Sequence, residues 1–279
     1  MLESDLHPWL QKVSQQYPGK FATANIMFSK IHPGNHIFIG TGCGEPQFLV
    51  RSLIKYVQSN PKAFFDTELL QVWALGVAPY GDEKFKDNFR YNSFFIGNNT
   101  RQAVNKGLAD YTPIFLSQVP SLFARRIVPV DVALIQTSFP DEHGFLSLGI
   151  SVDIVKAAVE NASLVIAQVN VEMPRVHGET FIHIRDVDYL VPGNEPLLEF
   201  TTVVSDEIAE RIGKYVARIV QDGDTIQVGY GSIPNAILSH LKDRKHLGVH
   251  TELMTDGIVE LMRAGVIDNS RKELNRGKT

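Results

Sequence analysis

The sequence predicts an α/β fold of two open, mostly parallel-sheet α/β domains, the second cut short. Three observations predict it. Short apolar runs alternate with helical patterns along the chain, which is the signature of a parallel sheet covered by helices. Most of those runs are apolar throughout, as strands buried on both faces are. The chain has 279 residues, 44% of them apolar and 21% charged, and a length prior of about 150 residues per domain gives two domains.

The strands are expected at 36–40, 70–77, 93–96, 131–137, 164–169, 225–229 and 247–253. Helices fill the gaps where end signals fall. One over 46–57 follows a glycine turn, one over 152–161 starts after Ser151, and one over 206–220 follows Ser205 with acidic residues in its first turn and Arg218 in its last. In the last of these, Ile208, Ile212, Tyr215, Val216 and Ile219 share one face at helical spacing and are expected in the core.

Two prolines and a glycine in Val191-Pro192-Gly193-Asn194-Glu195-Pro196 break regular structure. The expected organisation is therefore a first domain over 1–190, a linker over 191–200 and the start of a second domain over 201–279. An open parallel sheet in the remaining roughly 80 residues leaves edges unpaired and a helix face uncovered, so the second domain is expected to continue beyond Thr279.

Composition removes several classes of function. A net charge of −4 gives no clustered basic face, so nucleic acid is not expected as a partner. No stretch approaches the roughly 18 apolar residues of a membrane span, and Glu3 and Asp5 ahead of His7-Pro8-Trp9 do not open a signal peptide. A cytoplasmic chain without a membrane partner is expected. The single cysteine, Cys43, excludes an internal disulfide and a CxxC site.

Three segments repeat a strand, a glycine-bearing turn and a helix start, the place where open α/β sheets bind ligands. The first runs from His36 through Gly40, Gly42, Cys43 and Gly44 to Pro46. Its glycines follow GxGxG and not the dinucleotide GxGxxG, which leaves a nicotinamide site, a substrate-pocket lining or a plain tight turn. Cys43 as a nucleophile needs a base such as His36 beside it; the alternative is a buried or merely pocket-facing thiol. The second, from Thr225 to Ala236, carries Gly229, Tyr230, Gly231, Ser232 and Ile233; its glycines admit a close ligand, Ser232 can cap and Pro234 suits a first helical turn. The third, Gly248 to Gly257, sets an ionisable Glu252 at the carboxyl end of an apolar strand, before a helix capped by Thr255 or Asp256 and running through Met262. A carboxylate there costs desolvation energy unless partnered, so it is either functional or a salt-bridged structural residue. His143 and His177 lie in loops that match no metal spacing, and no metal site is expected.

Taken together, these motifs resemble those of the acetyl-CoA hydrolase and CoA-transferase family, which includes acetate, butyrate and 4-hydroxybutyrate CoA-transferases. The resemblance rests on FFIGNNTR at 94–101, ADYTP at 109–113, PDEHGF at 140–145, MPR at 173–175, FIH at 181–183, GSIPNA at 231–236 and the block around Glu252. It implies that both domains are of CoA-transferase type, that Glu252 is a covalent nucleophile, and that Gly229 to Ile233 help bind coenzyme A. The implied activity moves coenzyme A between a short-chain acyl-CoA and a carboxylate through a glutamyl-CoA thioester. A CoA thioester is then substrate, with no tightly bound cofactor. The alternatives are an acetyl-CoA hydrolase, in which water intercepts the intermediate, and a silent fragment that only binds a partner chain or CoA. Also implied is a homodimer or a complementing C-terminal portion, the latter bringing a further glycine-rich loop.

Overall fold

The computed structural model describes residues 8–76, 78–200 and 205–279. Three of the sequence readings therefore lie outside the described residues: the acidic start through His7, the end of the second expected strand at Val77, and the opening of the second domain at 201–204. Contacts divide the chain into two compact units, Met1–Phe200 and Thr201–Thr279.

In the first unit the strands are β1 His36–Ile39, β2 Thr67–Gln71, β3 Phe89–Ser93, β4 Ala109–Tyr111, β5 Val132–Thr137, β6 Phe145–Ser147, β7 Leu164–Val169, β8 Phe181–His183 and β9 Tyr189–Pro192. The helices are α1 Pro8–Gln16, α2 Ala24–Phe28, α3 Gln47–Ser59, α4 Asn98–Asn105, α5 Val119–Ala124 and α6 Val155–Asn161. Among the described residues seven strands form one parallel sheet in the order β4-β3-β2-β1-β5-β7-β9. β6 and β8 pair separately and antiparallel.

Alternate side chains of the central strands enter two cores, as the strand period of two requires. Ile37, Ile39, Leu69, Val132, Leu134 and Ile166 meet Leu49, Leu53 and Val57 of α3. Phe38, Leu70, Ala133, Ile135 and Ala167 meet Phe123 of α5 and Val155 and Ala158 of α6 on the opposite face. Both faces are covered, which accounts for the uninterrupted apolar runs.

Several element boundaries differ from expectation for identifiable reasons. β2 ends at Gln71 because the residues after it leave the sheet: the amides of Leu75 and Gly76 turn to the carboxylate of Glu45. β3 precedes the apolar run FFI and shares only Ser93 with the expected strand. It buries Phe89 and Tyr91, but the exposed Arg90 between them and the buried polar Asn92 and Ser93 after them keep it from reading as a continuous apolar run. Val191 and Pro192 open the expected linker but belong to β9, an edge strand that tolerates a proline. β4, β6 and β8 have three residues each, too short to register as periodic patterns.

The second unit contains α7 Glu207–Ala217, β10 Thr225–Ile226, α8 Ser232–Ser239, β11 Gly248–Val249 and α9 Asp256–Arg263. β10 and β11 are parallel, with Thr225 opposite Gly248 and Ile226 opposite Val249. Both are far shorter than the runs that suggested them. Their core joins Val228, Leu238, Leu241, Leu247, Val249, Ile258 and Leu261.

The expectation for α7 fails. Ile208, Tyr215 and Ile219 are 68%, 60% and 76% exposed, and Ile212 and Val216 are half-buried. The helix instead buries Ala209, Gly213 and Ala217, which share a face at i, i+4 and i+8. Gly213 lies so close to α8 that a Cβ there would stand 2.7 Å from the carbonyl carbon of Ala236. Close approach of two backbones rewards small residues, and that stripe prevails over the larger apolar one.

The expected unpaired edge is also partly filled. Outside β11, Leu247 bridges Ile267 and accepts the amides of Asp268 and Asn269, so the segment after α9 lies along the strand.

Candidate active site

The sequence places its main site in the second unit, on the two turns that leave β10 and β11. After Ile226 the chain runs through Gln227 and Val228 to Gly229-Tyr230-Gly231 and enters α8. Gly231 is the residue that caps the helix, at φ 128° and ψ −178°, a conformation only glycine adopts without strain. Ser232 is consequently the first helical residue, and its side chain does not cap. Pro234 still falls in the first turn, where its missing N–H costs nothing. Gly229, Tyr230 and Ile233 are exposed; Gly231 and Ser232 are half-buried.

The neighbouring turn carries Glu252. It is not inside a strand: β11 ends at Val249, and Glu252 follows in an exposed bend. Its carboxylate forms no ion pair and no hydrogen bond with the described residues. The desolvation penalty anticipated for a strand-buried carboxylate therefore does not arise, and neither does the salt-bridged structural role. Thr255 is the N-cap residue of α9, yet its hydroxyl does not bond the helix and is buried without a partner.

One side chain ties the two turns together. The amide of Val228 donates to Thr251 Oγ1 at 3.1 Å, and that hydroxyl donates to the Val228 carbonyl at 2.8 Å. The amide of His250 reaches Ile226 O at 3.0 Å. The strand register thus continues two residues past the last backbone pair, and the next residue on each turn is Gly229 on one side and Glu252 on the other.

In the first unit, the sheet order reverses between β1 and β5, the topological switch point where open sheets place ligands. The Gly40 to Pro46 loop leaves β1 there. Ser151 donates to Thr41 O at 2.8 Å, Thr41 donates to Asp153 Oδ2 at 2.6 Å, and a Cβ on Gly44 would lie 2.5 Å from that of Ser151. Burial pushes the Cys43 thiol up, away from nucleophile chemistry. His36 begins β1, at the end of the strand opposite the loop, and its ring faces Glu68 at 3.3 Å and Asp131 at 3.2 Å. The base that a nucleophilic Cys43 would need is thus not supplied by His36, and Cys43 is a half-buried free thiol. His143 and His177 lie exposed, and the described residues contain no cluster of three or more metal-ligating side chains.

The sequence reading missed a row of buried amides along the carboxyl edge of this sheet. Gln71 Nε2 donates to Gly40 O at 3.0 Å, Gln136 Nε2 to Glu45 O at 3.1 Å, and Gln168 Nε2 to Gly193 O at 3.1 Å. Glu45 is fully buried among them, its Oε2 accepting from Leu75 and Gly76 at 3.0 and 3.1 Å. From the other side Asn99 donates to the carbonyls of the same two residues at 2.6 and 2.9 Å. Burial pushes the Glu45 carboxyl up to about 7 against the pull of those two amides. The signal was available: each of the apolar strands β2, β5 and β7 carries a glutamine at its last or penultimate position.

Residues 9–201 match the family model of the acetyl-CoA hydrolase/transferase N-terminal domain. The 4-hydroxybutyrate coenzyme A transferase of Clostridium kluyveri is 44% identical over 262 residues, 94% of this chain and 60% of that protein. The succinyl-CoA:acetate/propanoyl-CoA:succinate CoA transferase of Fasciola hepatica is 41% identical over 94% of this chain and 55% of its own length. The crystal structure of RipA from Yersinia pestis superposes with a TM-score of 0.88 at 30% identity, covering 96% of this chain and 64% of that one. A 4-hydroxybutyrate CoA-transferase from Porphyromonas gingivalis gives 0.80 at 29% identity, over 96% and 62%. The chain spans less than two thirds of each of these relatives. On this sequence match and this shared α/β fold, the chain belongs to the acetyl-CoA hydrolase/transferase family.

Proposed function

We propose that this polypeptide carries the nucleophile and part of the coenzyme A site of a CoA-transferase acting on a short-chain acyl-CoA and a carboxylate acceptor. The relatives' names supply the reaction class. The observation that carries the reading is Glu252: an exposed carboxylate without a partner, held next to the Gly229 to Ile233 turn through the Thr251–Val228 clasp.

Covalent catalysis splits a difficult exchange into easier steps. The Glu252 carboxylate attacks the thioester carbonyl, giving a mixed anhydride and CoA thiolate. The thiolate attacks the glutamyl carbonyl of that anhydride, releasing the first carboxylate and leaving a glutamyl-CoA thioester. The acceptor carboxylate attacks this thioester, expelling thiolate and forming a second anhydride. Attack of the thiolate on the acceptor's carbonyl yields the new acyl-CoA and restores Glu252. Unpaired amides at the start of α8, beyond the cap at Gly231, are suited to the phosphates of CoA or to an oxyanion, where one donor is worth about 10²- to 10³-fold.

Hydrolysis is the second reading, favoured by the exposure of Glu252, which leaves its acyl and CoA intermediates open to water. A second copy of the chain or a complementing C-terminal portion as partner belongs to the same proposal. No helix among the described residues is long and apolar enough to cross a membrane.

Intact-mass measurement after incubation with butyryl-CoA is the test. A CoA adduct that vanishes in Glu252→Gln supports the reading; a folded chain without an adduct, or an adduct surviving in Glu252→Gln, overturns it. Steady-state CoA release with and without acetate or 4-hydroxybutyrate separates transfer from hydrolysis, since only transfer depends on the acid.

A further inference from the structure

The turn that carries Glu252 starts from a strand residue whose outer side meets no strand. Gly248 and His250 donate to Asp224 and Ile226 along β10, so the backbone of Val249 between them faces away from β10. Two side chains receive it. The Val249 amide donates to Asn269 Oδ1 at 2.9 Å, and its carbonyl accepts from Lys272 Nζ at 2.7 Å.

Both residues are set for this contact. Asn269 adopts φ 56°, in the left-handed region that asparagine tolerates better than most residues, and its other amide atom donates to Thr279 Oγ1 at 2.8 Å. Lys272 is only 5% exposed and forms no ion pair among the described residues; its second acceptor is the carbonyl of Lys278. A lysine is rarely buried without a carboxylate. The route of its stem is cleared by a glycine: a Cβ on Gly248 would lie 2.5 Å from Lys272 Cγ. Glycine inside a strand often marks such a crossing.

We infer that Asn269 and Lys272 are positioning residues for Glu252, fixing both backbone groups of Val249 and thereby the origin of the turn three residues later. With Thr251 holding the far side through Val228, the turn is anchored at 249 and 251, and Glu252 is the first residue beyond the anchors. Displacement of a reacting group by about 1 Å costs up to about 10²-fold in rate. The inference rests on Glu252 as nucleophile.

The test uses Lys272→Met, Asn269→Ala and, as control, Glu252→Gln, each with two readouts. In the adduct assay with butyryl-CoA, Lys272→Met and Asn269→Ala should lower the rate constant at saturation at least tenfold, with the half-saturating concentration within about twofold of wild type. In amide hydrogen exchange, segment 250–253 should exchange at least tenfold faster while α7 is unchanged. Wild-type rates with wild-type exchange in either folded variant overturn the inference, and so does failure of both variants to fold, which would assign the pair to the fold itself. If the adduct survives in Glu252→Gln, or wild type forms none, the nucleophile reading falls separately. Exchange alone then judges the anchor, with unchanged protection of 250–253 counting against it.

Discussion

Gly213 of α7 and Ala236 of α8 meet at a separation that leaves no room for a side chain at 213, a Cβ there falling 2.7 Å from the Ala236 carbonyl carbon and 2.9 Å from its Cβ. The obstacle is backbone and cannot swing aside. Gly213→Val should therefore force the helices apart and destabilise the second unit by about 1–3 kcal/mol, the usual cost of overpacking. Urea unfolding followed by helical circular dichroism checks this; a midpoint unchanged from wild type would contradict the packing.

Because α7 buries its small residues, the exposed Ile208, Tyr215 and Ile219 are dispensable for the unit's own stability. Ile219→Lys, just past the C-cap of α7 and 76% exposed, should change stability by no more than about 0.5 kcal/mol, whereas a core position would lose several times that. Equal melting temperatures for wild type and Ile219→Lys are the expected result.

The packing of α7 lies beyond what local sequence pattern encodes. Strand runs covered on both faces, such as β1, β5 and β7, were legible because burial on two sides leaves their central positions apolar. The Glu252 and Gly231 turns were legible because a carboxylate and paired glycines stand out at strand ends. The buried face of α7 was not, because Ile208, Tyr215 and Ile219 form the stronger hydrophobic stripe and only the proximity of Ala236 selects the weaker one. Nor was the end of β2. Its apolar continuation through Trp73 and Leu75 hides that a carboxylate 30 residues earlier claims the Leu75 amide. Asn269 and Lys272 act on Val249 across 20 and 23 residues, a relationship that no local pattern encodes.

Thr251 is the hinge of the candidate site. Thr251→Val keeps the shape but leaves the buried Val228 without its hydroxyl partner for N–H and C=O, at a cost of about 1–3 kcal/mol. The two turns should part, so the rate of CoA adduct formation should fall at least about tenfold. Thr251→Ser, which keeps the hydroxyl, should recover most of both. If valine proved as good as serine, the clasp would have no part in holding Glu252.

Glu45 gives a stability effect with a defined sign in pH. Its carboxyl is pushed from an ordinary 4.5 up to about 7 by burial, so the fold prefers the protonated form. The side chain imposes no ionisation penalty below pH 4.5, where both folded and unfolded chains hold the proton. As pH rises from 4.5 to about 7 the unfolded chain ionises first, and stability is lost across that window, by up to ~3 kcal/mol in all because a proton held by one state only is worth about 1.36 kcal/mol for each pH step of one. Above about 7 the loss is constant. Glu45→Gln mimics the neutral acid and keeps an acceptor for the amides of Leu75 and Gly76. The variant should match wild type near pH 4.5 and gain on it steadily to about pH 7, then run parallel. Urea titrations at closely spaced pH values measure the difference. A wild type that instead gained stability over Glu45→Gln as pH rose would mean that Glu45 is held ionised, with a partner stronger than the two amides.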